Sequence, residues 1–137
     1  MAEILNYNNN DTLITLALNG DENNLLSFDP GDLNFRKGFY EIQKSIKIKE
    51  KEIDIKLKKI NPDDIKSQFD LEEELFNYMS NMIDKIFGQN STKKICGNRR
   101  NPIIIANFLI AIAPYVKKFN EDAKNKYVNN LKNAGVI

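Results

Sequence analysis

Apolar residues alternate with others over Thr12–Leu18, "TLITLAL". Ile14, Leu16 and Leu18 fall on one face, and Leu13, Thr15 and Ala17 on the other. Period-two alternation with β-branched content predicts a strand. Both faces are fairly apolar, so the strand is expected to be covered on both sides or paired with another chain. Asn19-Gly20 opens the turn cluster "NGDENN", and "LLSF" at 25–28 returns as a second short strand. Two strands alone are marginal in water, so a hairpin over 12–28 has to lie on helices or join a larger sheet. Residues 1–11 read as a flexible N-terminal segment.

The period then changes. Phe39, Ile46, Ile53 and Ile60 recur every seven residues, with Phe35 and Ile42 in neighbouring positions. This predicts a long helix with a narrow seam over 35–60. Lys49 and Lys56 occupy seam positions where an apolar residue is expected. "IKIK" and "IDIKLK" also alternate as strands do, but no Gly, Pro or Asn interrupts 39–60 and Lys and Glu favour helix. Asn61-Pro62-Asp63-Asp64 predicts the next helix start, with Asn61 as cap and Pro62 in the first turn. Asp70 with Glu73 offers a second, capping-box start. Leu71, Leu75, Tyr78, Met79, Met82, Ile83 and Ile86 form one apolar face ending at Gly88. The short link at Asn61 implies an antiparallel helix pair.

Residues 89–101, "QNSTKKICGNRRN", read as a polar basic loop. Asn101-Pro102 starts the last helical region, in which Ile103–Ala113 is apolar nearly all round, as in a core or a subunit interface. Pro114 is expected to kink it, ahead of a more amphipathic stretch through Phe119, Tyr127, Val128 and Leu131. The apolar run 102–116 is shorter than the roughly 20 residues that span a bilayer, so it reads as a buried helix rather than a membrane segment. The fold class is α+β and mainly helical. It comprises one domain over 1–137, with an N-terminal hairpin followed by three or four helices in 33–132.

Asp29-Pro30-Gly31-Asp32 could be a ligand loop or an elbow between strand and helix. Pro30 presets φ at the first central turn position, Gly31 accepts positive φ at the second, and Asp32 can N-cap a helix from Leu33. A calcium loop needs more oxygen ligands, and a phosphate loop needs more glycines and a Lys or Ser/Thr. The elbow is therefore the expectation.

Composition narrows the chemistry. The chain has 137 residues, a net charge of +1, one cysteine and no histidine. Disulfide frameworks and multi-cysteine metal sites are excluded, and the commonest general base is missing. Charge falls in blocks: −6 over 1–35, +5 over 36–60, −5 over 61–87 and +7 over 88–137. Alternating blocks suit segments that pack against each other or against further copies. Glu72-Glu73-Glu74 point in different helical directions and make no acid/base pair. Cys96 lies near Lys93, Lys94, Arg99 and Arg100, a setting that could lower a thiol pKa, but no histidine accompanies it. No aromatic residue interleaves with these bases, which argues against nucleic acid. No catalytic, cofactor or metal residue is identified.

The order of features resembles a known family. The strand pair, "FDPGDLNFRKGFY" leading into a charged helix, "MIDKIFG" before "KICG", and "FLIAIAPYVKKFNEDAKNKYVNNL" are together similar to the small tail assembly chaperones of long-tailed phages and prophages of low-GC bacteria. The likeness spans about residues 12–132. It implies a non-enzymatic protein of the bacterial host cytoplasm that coats the tape measure protein, keeps it soluble and helps recruit tail tube protein. It also implies self-association and absence from the finished virion. Phe35, Phe39, Ile104, Phe108, Ile112 and Tyr115 are the candidate partner or subunit contacts, with ordinary core packing as the competing role. Two rivals stand beside this reading: a structural virion or neck protein, and a small phage-encoded regulator binding a host protein or nucleic acid through 93–100.

Overall fold

A computed structural model describes the backbone of residues 1–137 and every side chain except those of Ala123, Lys124 and Lys126. Strands β1 (Ile14–Ala17) and β2 (Leu25–Phe28) form an antiparallel hairpin, with Ile14 opposite Phe28 and Ala17 opposite Leu25. The link turns at Leu18–Gly20, where Asn19 (φ 52°) and Gly20 (φ 79°) are both left-handed. Only one face of the sheet is covered. Leu26 and Phe28 are buried and Ile14, Leu16 and Leu18 half-buried, while Leu13, Thr15, Ala17, Leu25 and Ser27 are exposed. The expectation of cover on both sides is thus not met within the monomer. The outer face is sustained instead by a Thr15–Ser27 hydroxyl pair at 2.7 Å.

The Asp29–Asp32 elbow joins hairpin to helix. Asp29 Oδ1 accepts from Thr12 Oγ1 at 2.5 Å and from the Gly31 N–H at 2.9 Å. Asp32 caps helix α1 (Leu33–Lys58) through the Asn34 N–H at 2.9 Å. Pro30 is buried. Gly31 departs from expectation, because its backbone is not left-handed. Glycine is required there by space, since a Cβ would lie 2.8 Å from Thr12 Cβ and 3.0 Å from Asp29 Oδ1.

Helix α2 (Ile65–Phe87) starts later than Asn61-Pro62 suggested. Asn61 and Pro62 form a preceding turn, in which Asn61 accepts the Asp63 and Asp64 N–H groups, both at 2.9 Å. Asp64 is the actual cap, accepting from the Ser67 N–H at 3.2 Å. Pro62 lies outside the helix, so its ring does not occupy the first turn. Asp70 and Glu73 begin nothing new, because α2 runs through them. The pair α1/α2 is antiparallel: Phe35 meets Phe87 with ring centroids 5.3 Å apart, and Lys49 meets Glu74 at 3.0 Å. Gly38 lets the two axes close, since a Cβ there would stand 3.3 Å from Ile86.

The expected loop at 89–101 contains a short helix, α3 (Ser91–Cys96). Thr92 nucleates it. Its N–H donates to Asp84 Oδ1 at 2.8 Å, and its hydroxyl lies 2.9 Å from that carboxylate and 3.1 Å from the Ser80 carbonyl. These bonds tie the polar segment down on α2 and bury Ser91, Thr92 and Cys96. Helix α4 (Pro102–Asn133) opens as anticipated, with Asn101 accepting the Ile103 N–H at 3.0 Å and Pro102 in the first turn. Pro114 lies within it, and the helix continues to Asn133.

One core joins these elements. Phe87 is its hub, touching Phe28 of β2, Phe35 and Phe39 of α1, and Phe108 of α4 at centroid distances of 5.1–6.5 Å. Phe76 and Phe87 were missing from the sequence-derived face of α2, although Phe76, Met79, Ile83 and Phe87 follow one another at helical spacing and are its buried residues.

Candidate functional site

Helix α4 has more apolar surface than the core uses. Ile105, Phe108, Leu109, Ile112 and Val116 form a buried row. A second row, Ile103, Asn107, Ile110 and Pro114, follows the same helical spacing on the exposed side. Ile103 is 66% and Ile110 70% exposed. Over Pro102–Asp122 the helix is long and apolar enough to cross a membrane by length and composition.

Helix α1 also carries a row that no element covers. Leu33, Lys37, Tyr40, Lys44, Ile48, Lys51, Ile55 and Lys58 are all exposed and succeed one another at steps of three or four. Apolar and cationic side chains alternate along it. The row is legible in the sequence as a period, but it is less apolar than the seven-residue seam on the opposite face.

Between the hairpin and α4 runs a groove of about 480 Å³, with Leu16–Asn19 on one side, Ile104, Asn107, Phe108, Ala111, Ile112 and Tyr115 on the other, and Ile95 and Arg99 at one end. Tyr115 also borders a neighbouring 290 Å³ hollow with Thr12–Ile14, Lys118, Phe119 and Asp122. A third hollow, of 650 Å³, lies at the far end among Ile53, Phe69, Phe76 and Ile103. There Arg100 bridges to Glu73 at 2.6 Å and lies over the Phe76 ring.

The six candidate contact residues divide. Phe35, Phe39, Phe108 and Ile112 are buried in the monomer, so their packing role is the one observed, and only Phe108 and Ile112 also reach the groove. Ile104 is half-buried at the groove and Tyr115 is exposed beside it. Phe35 and Phe39 stack at 6.0 Å and face inward.

The electrostatics are structural. Lys49, the anomalous seam residue, reaches Glu74 at 3.0 Å and the Tyr78 ring at 5.4 Å, so the α1 and α2 charge blocks do meet. The hydrogen bond from Lys49 holds the Glu74 carboxyl below its usual range, and the same bond raises Lys49. The basic neighbours of Cys96 do not lower its thiol pKa: burial pushes it up, against a smaller pull from Arg99. Among the described residues no group of three or more His, Cys, Asp or Glu side chains is placed to hold a metal ion.

Compared with protein-family models, with curated proteins and with solved structures, the chain matches none.

Proposed function

We propose that this chain is a non-enzymatic chaperone of phage tail assembly. It coats the helical tape measure protein in the bacterial cytoplasm, keeps it soluble, helps recruit tail tube protein, and is absent from the mature virion. The observation that supports this reading best is the pair of exposed rows, Ile103–Ile110 on α4 and Leu33–Lys58 on α1. Exposed apolar residues at helical spacing, Ile103 and Ile110 on α4 and Leu33, Tyr40, Ile48 and Ile55 interleaved with lysines on α1, suit helices laid alongside them, as in helix-in-groove recognition. A protein that shields a partner needs such shared surface and no reacting group.

The test is co-expression with the longest helix-rich protein encoded next to it, followed by light-scattering chromatography. Many copies are expected to co-elute with a partner that is insoluble alone. Ile103→Asp with Ile110→Asp should abolish that rescue while leaving the fold intact, because both side chains are largely exposed. A chain that leaves the partner insoluble would overturn the proposal. Finding the protein in purified particles would favour a structural virion component instead.

A further inference from the structure

The sheet stops at two strands, and one of its edges is open. The Leu18 N–H donates to the Asn24 carbonyl at 3.0 Å. By the alternation of an antiparallel ladder, Leu16 and Ile14 also direct their main-chain groups to β2. The N–H and C=O groups of Thr15 and Ala17 therefore point the other way, along an edge with no third strand. Beside that edge lies the groove described above, floored by Leu16, Ile104, Phe108 and Ala111 and continuing past Tyr115 to Phe119. An open edge over an apolar trough is the geometry of strand addition: main-chain bonds hold an extended segment while alternate side chains enter the trough.

The chain carries a segment of matching chemistry. Residues 1–10 are exposed and outside any strand or helix, and Ile4, Leu5 and Tyr7 are each more than 75% exposed. "AEILNY" at 2–7 spans about 20 Å when extended, enough to line β1. Glu3 is its only charged side chain, and the trough has Arg99 at one end and Lys118, beside Asp122, at the other. Antiparallel addition sets Glu3 by Arg99 and places Leu5 and Tyr7, on the same face as Glu3, over the apolar floor. The chain's own segment does not lie there. It leaves β1 through a turn closed by Leu13 N–H to the Asn10 carbonyl at 3.1 Å and Asn10 N–H to Asn8 Oδ1 at 3.0 Å, and beyond the turn it stays exposed.

We propose that the β1 edge and its trough receive residues 2–7 of a second copy of this chain as a third, antiparallel strand. Two copies exchanging these segments form a closed pair. The resemblance to tail assembly chaperones implies self-association in general; the strand exchange assigns it to one surface, and its test, which involves no tape measure partner, can fail while the chaperone reading stands.

Light-scattering chromatography of the full chain is expected to give a dimer, and deletion of residues 2–8 a monomer. The Thr15 and Ala17 amides should exchange at least roughly tenfold faster in the deleted form, because a free edge has no protecting acceptor. The synthetic peptide MAEILNYN added to the deleted protein should restore their protection. In chains carrying Cys96→Ser, one with Leu5→Cys mixed with one bearing Asn107→Cys should yield a disulfide-linked pair. A monomeric full chain, a mass unchanged by the deletion, or no disulfide-linked pair from the mixed chains would each overturn the proposal. Circular dichroism of the deleted form checks that the fold persists, as the exposure of residues 2–8 leads one to expect.

Discussion

The Asp32 carboxylate caps α1 through the Asn34 N–H, so Asp32→Ala is expected to destabilise the protein by about 1 kcal/mol in urea unfolding, the ordinary cost of a lost cap. Gly31→Ala should cost more than that, because the added methyl has to displace Thr12 and disturb its 2.5 Å bond to Asp29. Calorimetric titration with calcium or phosphate should give no heat of binding in wild type or either variant. A binding signal in the wild type would overturn the elbow reading. The residues of the elbow were identified in the sequence, yet the reason for the glycine was not. A tight approach from Thr12, seventeen positions before Asp29, has no local signature.

At the scale of elements, the α1/α2 pair shows how a residue that breaks a pattern can be explained by its neighbour. Lys49 sits in an apolar seam because Glu74 on α2 comes within 3.0 Å and Tyr78 offers its ring. Glu74 is depressed in the folded state, so the stabilisation from its carboxylate is present above the unfolded value and is lost as pH falls through the folded one. Lys49 is raised, so its share persists below the unfolded value and is lost only as pH rises through the folded one. Glu74→Gln is accordingly expected to flatten the acid limb of stability against pH, below the usual carboxylate range, and to lower stability at neutral pH. Thermal melts across pH 2–8 would show it, and an unchanged acid limb would contradict the assignment. Helix α3 marks the converse case. A basic, polar stretch with no apolar period became a helix because Asp84 and Ser80 on α2 satisfy Thr92.

For the molecule as a whole, Phe87 decides whether hairpin, helix pair and last helix share one core. It touches aromatic rings from β2, α1 and α4. Phe87→Ala should therefore destabilise by about 3–5 kcal/mol, the range for deleting a buried aromatic side chain. Urea unfolding monitored by circular dichroism measures this, and a loss below about 1 kcal/mol would show that the elements do not depend on a common hub.

The sequence by itself determined what depends on near neighbours: the alternation of the hairpin, the seven-residue seam of α1, the caps at Asp32 and Asn101, and the apolar character of α4. Chain period and cap chemistry act within a few residues, so they are written locally. Only the tertiary structure decided which apolar residues became core and which became surface. Phe35, Phe39, Phe108 and Ile112 turned inward because Phe87 and its neighbours completed a cavity around them, while Ile103 and Ile110, no less apolar, stayed largely exposed. Burial depends on what approaches from elsewhere in the chain. The same is true of the open β1 edge, since a strand is an edge only when no other segment arrives to pair with it.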